Sequence, residues 1–189
     1  MRRPRTAAIA ATTALAVLAF SGCAPDTGEP TDSPTPAATS SEPTTPAATA
    51  PGPVAERLVL FYVAYGDEGT VGEPIGCGDS LVGIVTEPVT TADPLRESME
   101  RLLAGTSRDL GTTGLHSALP GGTLAYTDGG LGADGVVTVE LTGLPSPAGS
   151  CDNPRIEAQL ERTAMEAVGA SEALVLVDGV PIEDVLSLQ

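Results

Sequence analysis

Leu58-Val59-Leu60-Phe61-Tyr62-Val63-Ala64 is an unbroken apolar run of strand length. A strand wetted on one side alternates apolar and polar residues, so a run without alternation predicts a strand covered on both faces or central to a sheet. A Gly-rich loop from Gly66 to Gly78 follows, and Leu81-Val82-Gly83-Ile84-Val85 reads as a second strand stopped by Glu87-Pro88. Asp93 is then a good N-cap with Pro94 in the first turn, and Leu95, Met99, Leu102 and Leu103 recur at i, i+4, i+7 and i+8 before Gly105. That spacing predicts a helix lying on a sheet, with Met99 as core filler. Thr123 to Tyr126 and Val136 to Leu141 predict a hairpin, with turn signals at Asp128-Gly129-Gly130 and Asp134-Gly135. A second helix opens at Asp152-Asn153-Pro154, sets Ile156, Leu160, Ala164 and Val168 on one face and ends at Gly169. Ala173 to Val177 is the last strand, and Pro181 to Leu186 a short terminal turn of helix. The order β-β-α-β-β-α-β over residues 54–189 predicts an α+β domain. Its expected form is a two-layer sandwich, a mixed or antiparallel sheet of about five strands with two helices on one face.

With 2 Phe, 3 Tyr and no Trp, the core has to be built from Leu, Val, Ile and Ala. A core of that kind is modest, which gives a cross-link something to do. The three cysteines are Cys23, Cys77 and Cys151. With Cys23 set aside for the reason below, Cys77 and Cys151 form an even pair and favour one disulfide in an oxidising compartment. A reactive thiol at Cys151 and a metal pair are the alternatives, and neither has supporting neighbours in the sequence.

Cys23 is set aside because of what precedes it. Arg2, Arg3 and Arg5 form a basic head, Ala7 to Phe20 is apolar, and Ser21-Gly22 supplies small side chains just before the cysteine. This predicts a secretory signal over residues 1–22 whose cut site is a lipid-attachment site, with a thioether at Cys23. Phe20 stands where such signals prefer a Leu-like aliphatic residue. The stretch from Ala24 to Pro53 contains no Val, Leu, Ile, Phe, Tyr or Trp, and its 30 residues include 8 Pro, 7 Thr and 3 Ser. With nothing to bury, residues 23–53 are expected to be a disordered tether, and their full extension at about 3.1 Å per residue would approach 90 Å. Anchor and tether together place the domain on the outer face of the cell membrane. Three of the nine basic residues lie in the head and none of the nine is Lys, so six Arg face 25 acidic residues beyond it, a net charge of −19. Such a surface repels nucleic acid and anionic lipid heads and offers no basic stripe to read phosphates.

The residues with chemistry are few. Gly78-Asp79-Ser80-Leu81 resembles the nucleophile block of the GDSL lipases and esterases. A serine needs a neighbouring base, which in that family comes from a late Asp-x-x-His. The only histidine is His116, preceded three places earlier by Thr113. Ser80 as an esterase nucleophile is therefore the lesser alternative, and His116 is expected to be an exposed loop residue. Asp152, Glu157, Glu161 and Glu166, with Arg155 and Arg162, read as a solvated helix surface laced by i, i+4 contacts. The acids beside the hairpin glycines lack the spacing of a calcium loop. No phosphate-binding loop, dinucleotide fingerprint or His/Cys metal spacing is present, so neither a cofactor nor a metal is expected.

Taken together, Leu60-Phe61-Tyr62-Val63, Pro94-Leu95-Arg96, Leu102-Leu103-Ala104-Gly105, Val137-Thr138-Val139-Glu140-Leu141-Thr142, the helical Gln159, Leu160 and Thr163, and Val175-Leu176-Val177-Asp178-Gly179 carry a resemblance. In this order and spacing the chain resembles the GerMN domain, the sporulation and spore-germination module also found in actinobacterial lipoproteins. Glu140 stands where that family usually has Asp, and Ala167-Val168-Gly169 replaces its aromatic-Pro-Gly ending. The resemblance implies a small α+β fold akin to the ring-building motifs of envelope assemblies, and no catalytic residues. It leads to the expectation of a non-enzymatic, membrane-tethered protein that contacts an envelope protein or peptidoglycan. A small-molecule-binding lipoprotein is the other alternative.

Overall fold

The computed structural model describes residues 52–188. They fall within the unit Ala48–Gln189. The expected signal at 1–22, Cys23 and the tether up to Pro51 lie outside the described residues.

The elements run β1 (Val54–Glu56), β2 (Val59–Ala64), β3 (Glu73–Gly76), β4 (Asp79–Val85), β5 (Val89–Thr91), α1 (Pro94–Leu103), β6 (Leu115–His116), β7 (Ala125–Leu131), β8 (Val136–Thr142), α2 (Asp152–Val168), β9 (Glu172–Val177), β10 (Val180–Pro181) and α3 (Ile182–Ser187). The fold is α+β, and the five long strands and two long helices appear in the expected order. The strands are shared among three ladders rather than one: β10-β9-β8-β7, β3-β4-β2-β6 and the pair β1-β5. The division follows from the connections. A short turn joins β7 to β8 and α2 crosses over between the parallel strands β8 and β9, which makes one ladder. The apolar run β2 instead pairs antiparallel with β4, Phe61 opposite Gly83 and Val63 opposite Leu81.

The core lies where α1, α2 and α3 cover the inner face of the β7–β10 sheet. Val137, Val139, Leu141, Val175 and Val177 point into it from the strands, and Leu95, Met99, Leu102, Ile156, Leu160 and Ile182 from the helices. The Asp93 carboxylate accepts the Arg96 N–H at 3.0 Å and fixes the start of α1. Gly169 closes α2 with a left-handed φ of 67°. The hairpin departs from the expectation at Asp128-Gly129-Gly130, which lies inside β7 while the chain reverses at Gly132–Gly135. Gly129 is needed there because α1 lies directly on it: a Cβ would sit 3.1 Å from Leu95 Cδ2 and 2.7 Å from the Thr138 carbonyl oxygen. The glycine signals a close approach of helix to strand rather than a turn. The Gly66–Gly78 loop likewise contains β3, hydrogen-bonded to β4.

Hydrogen bonds from α2 tie the β3-β4-β2-β6 sheet to the helical layer. On its second edge β2 pairs with β6 only at Val63↔His116 and Ala64↔Leu115. Two residues further along, that register would set Phe61 opposite Ala118. The side chain of Gln159 fills this step: its amide donates to the Phe61 carbonyl at 3.0 Å, and its oxygen accepts the Ala118 N–H at 2.7 Å. One helical turn on, Thr163 Oγ1 accepts the Phe61 N–H at 3.1 Å. Both side chains are fully buried, so α2 satisfies backbone groups that would otherwise need another strand.

Replacing Gln159 with Leu leaves a buried donor and a buried acceptor unpaired, a loss of about 2 to 6 kcal/mol at 1–3 kcal/mol per group. Denaturant unfolding should show a lower midpoint at unchanged slope, and hydrogen exchange should show faster exchange at the Ala118 amide. An unchanged midpoint would mean that the splice contributes nothing.

Candidate functional site

The residues that the sequence singles out gather around the start of α2. Cys77, in the turn between β3 and β4, and Cys151, just ahead of α2, form a disulfide with a Cα–Cα distance of 5.9 Å. Cys77 holds a positive φ of 53°, rare for a side-chain-bearing residue. The bridge brings the start of β4 against the first turn of α2, and a set of charges lies between them.

Asp79 is 2% exposed. Its Oδ1 accepts the Gly66 N–H at 2.8 Å, and its Oδ2 accepts Nε and Nη2 of Arg155, each at 2.6 Å. Arg155 Nη1 donates to Asp152 Oδ1 at 3.0 Å. Asp152 Oδ2 accepts Arg108 Nη1 at 3.1 Å and the Ala148 N–H at 2.8 Å. Burial pushes the Asp152 carboxyl up, but the Ala148 N–H, Arg155 and Arg108 outweigh it and hold it below its ordinary 3.8. The helix-surface reading of Asp152 and Arg155 is thus corrected. They belong to a buried alternation of charges, because the disulfide brings Asp79 within reach of Arg155.

A stack continues from Arg155. Its guanidinium lies 4.1 Å from the centroid of one face of Tyr65, and the His116 ring lies parallel on Tyr65 at 4.1 Å with 2° between planes. His116 Nδ1 is 2.8 Å from Asp109 Oδ1. His116 is therefore not an exposed loop residue. It sits half-buried in β6, fixed by strand pairing, ring stacking and a carboxylate.

Ser80 is fully buried, and its hydroxyl donates to Asp67 Oδ1 at 2.6 Å. That hydrogen bond, ahead of the opposing effect of partial burial, keeps the Asp67 carboxyl below its ordinary value and makes it a weak base. A nucleophile requires access and a base poised to take its proton, and Ser80 has neither here. Among the described residues no group of three His, Cys, Asp or Glu side chains is placed to hold a metal ion.

Sequence reasoning found Cys77, Cys151, Ser80 and His116 but not Tyr65, Asp79, Arg108, Asp109 or Asp152 as members of one array. A signal for part of it was available. Cys151 and Arg155 stand four apart at a helix start, hence on one face, and Asp79 follows Cys77 by two, so a Cys77–Cys151 bridge implies that Asp79 and Arg155 meet.

Fold and array define a disulfide-braced α+β module in which the charged and aromatic groups are held by one another. A family profile described as Germane, "Sporulation and spore germination", matches residues 61–183. The chain belongs to this family. Among solved structures it is similar to the tandem GerMN domains of the sporulation protein GerM from Bacillus subtilis, at 14% identity and a TM-score of 0.47, over 75% of this chain and 44% of that one. No curated protein matches the chain.

Reducing the disulfide opens a 74-residue separation and should lower stability by roughly 4 kcal/mol on the loop-entropy scale. Thiol titration of the unreduced, denatured domain should find neither Cys77 nor Cys151 free, and two free thiols there would refute the bridge. A second prediction concerns pH. Glu161 is raised above its ordinary 4.5, first by burial and then by the charges of Glu157 and Glu183. A raised carboxyl favours the folded state most below its unfolded value, and that contribution is lost as pH rises through the folded value. Glu161→Gln should therefore stabilise the domain at pH 7 and lose that advantage below about pH 4.5. An equal effect at both pH values would show that the charge is not responsible.

Proposed function

We propose that this is a lipid-anchored protein of the cell envelope whose Germane domain works by binding an envelope protein or wall material rather than by catalysis. The observation that carries this reading is the fate of the two residues with catalytic chemistry. Ser80 is sealed in the interior on Asp67, and His116 is clamped between Tyr65 and Asp109. Membership of the Germane family and the disulfide support it, since a bridged domain suits an oxidising compartment. The anchor rests on the sequence from Arg2 to Cys23, because among the described residues no helix is long and apolar enough to cross a membrane.

Intact-mass measurement of the membrane fraction should find the mature chain beginning at an acylated Cys23. An unmodified chain retained in the cell interior would overturn the anchor. The purified protein should release nothing from short-chain esters, and Ser80→Ala should match it. Turnover that disappears in Ser80→Ala would restore the esterase alternative.

A further inference from the structure

The helices cover one face of the β7–β10 sheet, and among the described residues no element packs over the other. Strand alternation points Thr138 and Glu140 outward from β8 and Leu174 and Leu176 outward from β9. The register sets Thr138 beside Leu174 and Glu140 beside Leu176. Leu174 is 39% exposed. On the other side of β8, Asp128 of β7 stands directly opposite Glu140. Two like charges on directly opposed strand positions destabilise an antiparallel pair, and no arginine of the domain relieves them. The six arginines beyond the head are engaged elsewhere: Arg57 on the Thr86 carbonyl, Arg96 with Asp93 and Glu100, Arg101 with Glu97, Arg108 and Arg155 on Asp152 and Asp79, and Arg162 with Glu73.

Resting on the binding function proposed above, we infer that this sheet face is a docking surface for a cationic amphipathic segment of another protein. Its apolar residues cover Leu174 and Leu176, and its Lys or Arg side chains neutralise Asp128 and Glu140. A sheet covered on one face takes a third layer readily, and charge decides which. A second copy of this chain would bring another net charge of −16, and the arginines of its domain are already paired to its own groups. A basic segment supplies the counter-charge that the domain withholds from this face.

The probe is a synthetic Leu/Lys amphipathic peptide, with a Leu/Glu peptide of equal length as its counterpart, titrated into the full chain at fixed salt. The Leu/Lys peptide should bind and shift the amide resonances of Thr138, Glu140, Leu174 and Leu176. The double variant Asp128→Lys/Glu140→Lys should weaken binding about tenfold, whereas Glu87→Lys/Glu166→Lys, which changes net charge equally on exposed positions elsewhere, should leave it within about twofold. Glu140→Lys alone should raise the melting temperature while weakening binding, which separates lost docking from lost folding. Equal weakening by both double variants would reduce the attraction to general acidity and overturn the inference, as would shifts confined to the helices. Soluble peptidoglycan fragments shifting this same face, with no response to the basic peptide, would replace the occupant and overturn it too. None of these failures touches the acylation of Cys23 or the absence of ester turnover, so the broader function is judged separately.

Discussion

The architecture depends on a side-chain amide standing in for a piece of backbone. The second edge of β2 meets a partner strand at only two residues, and an apolar strand cannot leave its next N–H and C=O buried and unpaired. Gln159 carries a donor and an acceptor in the spacing of a peptide group and continues the ladder, while Thr163 accepts the remaining N–H. A shorter amide at position 159, or a hydrophobe, could not reach both strands. Because both residues lie on α2, this splice sets the helix's rotation about its axis as well as its position.

Once that rotation is set, the rest of α2 has little freedom. Ile156, Leu160 and Ala164 face the sheet core. Arg162 lies over Phe61, with its guanidinium 5.5 Å from the ring centroid, and reaches Glu73 at 3.3 Å. Arg155 turns toward the start of β4. A buried ion pair is a weak source of net stability, since desolvation opposes the attraction, but breaking one leaves a charge stranded. The Asp79–Arg155–Asp152 alternation therefore acts mainly as a device of specificity: a register that left Asp79 or Asp152 unpaired would strand a buried charge, while the more exposed Arg108 closes the array at its rim. The covalent bridge beside it holds the two segments at the separation these pairings require.

How much of this was legible in the sequence follows from the range of each interaction. The capped helix at Asp93-Pro94, the αL stop at Gly169 and the unbroken run of β2 were readable because cap, stop and apolar periodicity are local. The division of strands into separate ladders was not, because it depends on which edge each strand presents. Asp128-Gly129-Gly130 misled for an instructive reason. Glycine beside an acid is the composition of a turn, but here the missing Cβ admits Leu95 of α1, a contact separated by more than thirty positions. Asp152 misled in the opposite way: its helical surroundings are polar, yet in the fold it is buried among Arg155, the Ala148 N–H and Arg108, the last far upstream.

The residues most reactive on paper are therefore the ones most constrained by their own chain. Ser80, His116, Cys77, Cys151 and the charges of Asp79, Arg155, Asp152 and Arg108 all find partners near the start of α2, and each partner lowers the freedom that catalysis or ligand exchange would need. An aromatic ring held between a guanidinium and an imidazole illustrates the point, since neither face of Tyr65 is left for a substrate. On the binding function proposed above, recognition falls to groups that carry no motif at all. Outward-facing leucines on β9 and opposed carboxylates on β7 and β8 would pass as ordinary surface in a sequence. Their meaning appears only when the register places them side by side and the arginines that might have served them are seen to be engaged elsewhere.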